Sequence, residues 1–316
     1  MPELPEVERV RLSLLPLIGR TVTQVIVRRA GVVERCEGSA DKNSRGAKGL
    51  AAALLAGLRV VELVRHGKQL AIVGETDSGK GTKRVSGTHR AWPLEGAMPE
   101  EPAALGTTSR CICVHLGMTG SLVHGAQSGD AHAPHAHLIW CLDDRTQLVF
   151  DDPRRFGGVW TFASLDQLVR ARWSQIGPDA LTIAASDLHA RLQRTSRGLK
   201  ATLLDQSVVA GLGNIYVDEL LFDCGLHPRC PGRRLSLNIV QQLVDRMRAL
   251  LHAAIRAGGS SLRDYVDGTG QAGDFQNSHQ VYGRGGKLCN RCDRPLTTTA
   301  IAGRTTVFCR CCQPNR

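Results

Sequence analysis

The sequence predicts an α+β protein of more than one domain, an amino-terminal antiparallel β-sandwich followed by a helical region that ends in a metal-stapled hairpin. Three observations predict it. Short apolar runs bounded by turn residues recur up to about residue 163, apolar residues at helical spacing dominate from residue 164 onward, and two Cys-x2-Cys pairs stand at the carboxyl end. A chain of 316 residues is too long for one small core. The net charge of +11 comes from no single block, so the basic surface points to a polyanionic partner, nucleic acid first. Glu3, Glu6 and Glu8 interrupt the opening segment and no long apolar run follows, which predicts neither a secretory leader nor a membrane span. Eleven cysteines, an odd number with Cys111, Cys113 and Cys141 in apolar settings, argue against a disulfide framework and for a reducing cytosol.

The chain opens Met1-Pro2-Glu3-Leu4-Pro5-Glu6. Removal of the initiator before Pro2 is expected, and the chain would then begin with a secondary amine. An α-amino nitrogen ordinarily titrates near ~8, against about 10.4 for lysine, so roughly a tenth is free base at neutral pH without deep burial. Glu3 and Glu6 stand beside it as candidate proton donors and acceptors. The same residues also suit a plain helix start, with Pro5 in the first turn and Glu6 and Glu8 at the positive end of the dipole. Val7, Val10, Leu14 and Ile18 carry that helix over residues 5–18, to Gly19.

Residues 21–28 alternate as a strand, 37–48 form a polar loop and 51–58 a short helix. Residues 60–64 and 69–73 then flank Arg65-His66-Gly67-Lys68 as a hairpin. Lys68 is a candidate projected from that turn, although a solvated lysine there needs no function. Residues 74–110, rich in Gly, Ser, Thr, Pro and charge, read as a surface insertion. Strands resume at 111–115, 137–142, 147–151 and 159–163, separated by turns that include Leu116–Gly120 and Asp151–Gly158, which completes a sandwich domain over residues 1–163.

A linker follows at 164–180, with Gly177-Pro178 inside it. Helices are predicted at 186–195, 199–206, 215–224 and 236–257, in a domain of residues 181–278. Between the second and third lies the Gly-rich turn Val209–Asn214, where Asn214 is a natural N-cap. Free N–H groups at that helix start, with Lys200 one helix upstream, would suit a phosphate, and a plain capped helix–turn–helix would need no ligand. The last domain, residues 279–316, carries Cys289-x2-Cys292 and Cys309-x2-Cys312. Four thiolates at this spacing predict one structural zinc site with no position left for a substrate, Cys311 being surplus. Residues 297–308 alternate around Gly303-Arg304 as a hairpin, which places Arg304 near a tip where it can clamp a phosphate.

In this order the motifs resemble the formamidopyrimidine-DNA glycosylase family over nearly the whole chain, apart from insertions at roughly 39–48 and 75–109. The resemblance rests on Pro2–Glu8, His115–Gly120, Asp152–Gly157, Leu204–Gln206 with Gly211–Tyr216, and Gln280–Arg284 leading into the cysteines. It implies a β-sandwich, a helix–two-turn–helix domain and a zinc finger, with double-stranded DNA carrying oxidised bases or abasic sites as partner. A monomer in the bacterial cytoplasm, working at the nucleoid, is the matching expectation. By resemblance Pro2 is the nucleophile, Glu3 its acid/base partner and Glu6 a supporting carboxylate. Lys68, His115, Asn214 and Arg304 grip phosphates, and Lys68 and Arg304 also count with the catalytic group. Met118, Arg154 and Phe156 fill the gap left by an extruded nucleotide, and the loop from Arg263 to Asn277 closes over the flipped base. The chain departs from the family pattern with Arg263 in place of Lys and Gln206 in place of Asn. Two other readings stay open. One is an endonuclease VIII-type glycosylase for oxidised pyrimidines, against which the Leu4 setting and the Met118, Arg154, Phe156 set argue; the other is a non-catalytic zinc-ribbon binder of nucleic acid, which a retained Met1 would support.

Overall fold

Helix α1 (Leu4–Ser13) opens the fold, with Pro5 in its first turn and Glu6 near the positive end of its dipole. It stops five residues short of the expected end because the Ser13 hydroxyl turns back to the Arg9 and Val10 carbonyls, both at 2.9 Å. Pro16 then allows only a 3-10 turn over Leu15–Leu17. The computed structural model describes residues 1–35, 47–76, 108–126, 134–262 and 264–315. They divide into two units, Met1–Pro2, Glu6–Gln175 and Ser261–Gly273 in one and Glu3–Pro5, Ile176–Ser260 and Asp274–Arg316 in the other.

The first unit holds β1 (Val22–Val27), β2 (Val33–Arg35), α2 (Ala47–Ala53), β3 (Arg59–His66), β4 (Gln69–Glu75), β5 (Ser109–His115), β6 (Ser121–Ala126), β7 (Ala136–Leu142), β8 (Thr146–Asp151), β9 (Gly158–Phe162) and α3 (Leu165–Ala171). One sheet has the order β1-β7-β8-β6, the other β2-β9-β5-β4-β3. Pairing is antiparallel except between β2 and β9. Val7, Val10, Leu14, Leu122, Leu138, Trp140, Phe150 and Val159 are among the side chains that close its core. β2 and β6 escaped the sequence pattern, since β2 has three residues and β6 buries only Leu122. Helix α2 lies earlier than expected because Leu55 takes a left-handed φ of 74° and the Trp140 indole holds the Leu54 carbonyl at 2.9 Å. The insertion begins and ends on paired residues, Glu75 against Ser109; positions 77–107 lie outside the described residues, as do 36–46, which hold most of the polar loop expected over 37–48, its last two residues beginning α2 instead.

The expected linker is partly sandwich. Helix α3 is capped by Ser164, Trp173 is buried, and Arg172 and Trp173 both donate to Gln69 Oε1, at 2.9 and 3.1 Å. The second unit holds α4 (Ala185–Gln193), α5 (Leu199–Leu203), α6 (Asn214–Asp223), α7 (Leu237–Arg256) and the hairpin β10 (Thr297–Ile301) and β11 (Arg304–Phe308). Its core joins Leu4, Leu199, Leu203, Val217, Leu220 and Leu221 to the α7 stripe Val240, Val244, Met247 and Leu251. Among the described residues no helix is long and apolar enough to cross a membrane.

Candidate active site

In the sandwich unit Pro2 is buried and Glu6 is 1% exposed. Glu8 of α1 accepts the Arg11 guanidinium at 2.6 Å and that of Arg65 at 2.8 Å. Burial works against its charge, but these two arginines hold its carboxyl below the usual carboxylate range. Arg65 also donates to the Gly67 carbonyl at 3.1 Å, so one guanidinium ties α1 to the β3–β4 turn on which Lys68 sits, nearly buried.

His115, at the end of β5, accepts the Gly117 N–H on Nδ1 at 3.1 Å. Burial first, then the charges of Arg172 and Lys68, push its pKa down to about 4. At neutral pH it is an uncharged ring with its proton on Nε2, a hydrogen-bond donor to an anion rather than a further cation.

Met118 and Phe156 stand 42% and 55% exposed on two neighbouring turns. The buried Asp152 carboxylate braces both turns, accepting the Thr119 hydroxyl on one oxygen and the Gly157 N–H on the other, each at 2.7 Å. Gly117 has φ +62°, and any Cβ there would overlap the Phe156 and Gly157 backbone. The Arg154 guanidinium lies 4.9 Å from the centre of the Phe156 ring. Exposed apolar side chains on so rigid a support can enter a base stack and hold it open.

In the second unit the Gly-rich turn works differently from the expectation. The N-cap of α6 is Gly213, not Asn214. The cap is supplied by Glu3, whose carboxylate accepts the N–H groups of Gly213 at 2.7 Å, Ile215 at 2.9 Å and Tyr216 at 3.4 Å. Glycine is required at 213 because a Cβ would occupy the space of the Glu3 side chain. Three of the four free N–H groups of the helix start are thus taken, and the Asn214 N–H has no acceptor among the described residues. The Asn214 side chain donates to the Thr305 carbonyl at 2.9 Å, and its buried Oδ1 has no partner among them.

Lys200 is not on a phosphate-facing surface. Its side chain is fully buried, and its ammonium donates to Asp218 at 2.6 Å and to the Thr305 carbonyl at 3.2 Å. Burial pushes the Asp218 carboxyl up to about 6 and the Lys200 ammonium down, against the attraction of the pair. Arg304 is exposed directly after the left-handed turn residues Ala302 and Gly303.

The Sγ atoms of Cys289, Cys292, Cys309 and Cys312 lie within 4.8 Å of one another, with 3.9 Å between Cys289 and Cys312 and 3.4 Å between Cys292 and Cys309. Around a tetrahedral zinc with Zn–S near ~2.3 Å, sulfurs stand about 3.8 Å apart, so the four thiols fit one structural zinc. Cys311 is exposed beside them.

Arg263 lies outside the described residues. The loop around it, expected in the helical domain, belongs with the sandwich unit: the Tyr265 hydroxyl donates to the Glu6 carbonyl at 3.1 Å, Arg9 pairs with Asp267 at 3.2 Å, and the Gly268 N–H reaches Ser13 Oγ at 2.8 Å. Sequence reasoning missed Asp152, Asp218, Tyr265 and Asp267 as organisers. Each is a polar residue whose partner is far along the chain, and none carries a local spacing signal.

Three family models match the chain. The formamidopyrimidine-DNA glycosylase N-terminal domain matches residues 1–159, the H2TH domain of the same enzymes 176–266, and the zinc finger found in FPG and IleRS 286–315. The formamidopyrimidine-DNA glycosylase of Geobacillus kaustophilus is 35% identical over 316 residues, covering 99% of this chain and 100% of that one. Among solved structures, the MutM (Fpg) protein of Thermus thermophilus is 33% identical with a TM-score of 0.75, covering all of both chains. A Lactococcus lactis Fpg variant bound to Fapy-dG-containing DNA is 28% identical with a TM-score of 0.78, covering 99% of this chain and 100% of that one. Matched from end to end in sequence and in fold, the chain belongs to the formamidopyrimidine-DNA glycosylase family and is a glycosylase of base excision repair.

Proposed function

We propose that the chain is a bifunctional enzyme acting on double-stranded DNA, excising oxidised purines such as 8-oxoguanine and formamidopyrimidines and then cleaving the abasic site through an iminium formed on Pro2. The observation that carries this reading is the order of the first three residues. Pro2 is buried, and the carboxylate next to it is fixed by backbone N–H groups instead of being left to solvent. With Met1 removed, the Pro2 nitrogen is a secondary amine that needs no strong base to be nucleophilic.

The amine attacks C1′ and the damaged base leaves with the bonding electrons. Ring opening breaks the C1′–O4′ bond: the Glu3 carboxylate takes the proton left on the alkylated nitrogen and passes it to O4′, and the nitrogen lone pair so freed completes the iminium. That cation makes the C2′ proton acidic; its removal expels the 3′ phosphate, and a second elimination expels the 5′ phosphate. Glu6, buried near the same end of the chain as Pro2, supports the proton transfers. Lys68, the Nε2–H of His115, the Asn214 N–H and Arg304 would hold backbone oxygens around the lesion, while Met118, Arg154 and Phe156 fill the vacated stack, a step that costs a few kcal/mol. The Lactococcus lactis relatives bound to Fapy-dG DNA and to abasic-site DNA support the substrate class. A monomer in the bacterial cytoplasm fits this work.

The test is single-turnover cleavage of duplexes carrying one 8-oxoguanine, one oxidised pyrimidine or one abasic site. The expected order is efficient excision of the purine lesion, weak action on the pyrimidine, and loss of excision in Glu3→Gln with abasic cleavage largely kept. Preference for the pyrimidine would favour the endonuclease VIII-type reading. No cleavage of any substrate, with Met1 present in the intact mass, would favour a non-catalytic binder.

A further inference from the structure

Helix α6 presents Asp218, Glu219, Phe222 and Asp223 at i, i+1, i+4 and i+5, one stripe along its surface. Every one of them meets the cysteine-bearing module. Asp218 takes the Lys200 ammonium on Oδ1 at 2.6 Å and the Val307 N–H of β11 on Oδ2 at 3.1 Å. Glu219 accepts three successive N–H groups where the chain enters the module, Gln280 at 2.8 Å, Val281 at 2.9 Å and Tyr282 at 2.7 Å. Phe222 joins the small core of Val281, Leu296 and Val307, and Asp223 pairs with Arg291 at 2.9 Å. The Thr305 carbonyl, one residue past Arg304, is the meeting point of Lys200 Nζ at 3.2 Å and Asn214 Nδ2 at 2.9 Å.

We propose that Asp218, with its buried counter-ion Lys200, is a positioning residue for the phosphate grip: it seats β11 on α6 so that Arg304 and the α6 amino terminus face the same strand of DNA. This rests on the reading of Arg304 as a phosphate contact. The division of labour is local. Glu219 anchors the entry of the module, which zinc then holds together, while Asp218 and Lys200 anchor the strand that carries the arginine. A buried ion pair gives little net stability over apolar side chains of the same shape, but its directional bonds to two backbone groups fix the register of β11 against the helix. Lys200 thus serves DNA binding from the inside, without touching DNA.

The experiment is a double-mutant cycle on the full-length, zinc-loaded protein, with affinity and salt dependence measured on a duplex containing an uncleavable abasic analogue. Arg304→Ala should weaken binding and lower the salt slope by about one. Asp218→Asn should weaken binding by roughly tenfold, the size of a lost charge-assisted bond, lower the slope in the same way, and add little in the Arg304→Ala background. Its zinc content should stay at one per chain, and the Val307 amide should exchange faster with solvent. Asp218→Leu combined with Lys200→Met keeps an apolar, packed pair and guards against misfolding of the single variant; it should show the same loss of affinity. Unchanged amide exchange, or a loss of affinity that is equally large with and without Arg304, overturns the proposal. A loosened β11 in a protein whose binding ignores Arg304→Ala instead overturns the phosphate reading beneath it.

Discussion

Glu3 accepts the Gly213 N–H at 2.7 Å across 210 residues of sequence, so the start of the chain caps a helix in its second half. A carboxylate held by a helix start is oriented before substrate arrives, and the residue before it in the chain is Pro2. The Gly-rich turn therefore serves two ends. It leaves room for the Glu3 side chain, and it leaves the Asn214 N–H for another acceptor.

Gly213→Ala should push the Glu3 carboxylate out of this seat. Base excision is expected to fall by about 10²-fold, the range of a lost general acid, with affinity for an uncleavable abasic analogue near that of the parent. Single-turnover excision at the parental rate would show that the seat is dispensable.

Phe156→Ala and Met118→Ala should slow excision from a duplex by roughly tenfold or more, since an unfilled stack returns part of the few kcal/mol needed to extrude the base. Cleavage of a pre-formed abasic site, where no base has to leave, should suffer less. Equal losses on the two substrates would place these side chains in the chemistry rather than in the extrusion.

The pH dependence of stability carries a defined sign. His115 and His279 are both pushed by burial from 6.5 down to about 4. Between those values the unfolded chain binds protons that the folded chain refuses, so these two histidines make stability fall as pH drops from 6.5 toward 4 and contribute no slope above 6.5. Asp218, raised by burial to about 6, acts with the opposite sign below 6, so the comparison with a variant is the useful measure. Urea unfolding of the His115→Gln, His279→Gln double variant should show a shallower loss over this window. A loss as steep as the parent's would contradict the assignment.

Much of this was legible in the sequence. The cysteine spacing predicted the zinc site because metal geometry is local, and the two-residue and helical periods predicted most strands and the long helices because burial on one face imposes them. What stayed hidden depends on contacts between distant segments. Asn214 looked like a cap because Asn commonly caps, and nothing local announced that Glu3 would displace it. Lys200 looked like a surface cation because its partner Asp218 lies a helix away. The loop at 261–273 was placed with the helices by chain order, whereas Tyr265 and Asp267 tie it to α1.

Stripping the metal should release one zinc per chain and weaken DNA binding through the hairpin that carries Arg304. Among the described residues the tryptophans are Trp140, Trp160 and Trp173, all in the sandwich unit, so their fluorescence reports the sandwich and should change little. Absence of zinc from freshly purified protein, or collapse of the tryptophan signal on its removal, would contradict a site that is structural for the hairpin alone.

The most direct measurement is borohydride trapping on a duplex carrying 8-oxoguanine, followed by peptide mass mapping of the adduct. The adduct is expected on an amino-terminal peptide that begins at Pro2, to be lost in Pro2→Gly, and to form in Lys68→Ala. Lys68 is the chief competitor, since a lysine set among other cations can also form a Schiff base. If the adduct maps to Lys68, disappears in Lys68→Ala and persists in Pro2→Gly, the amino-terminal mechanism is wrong.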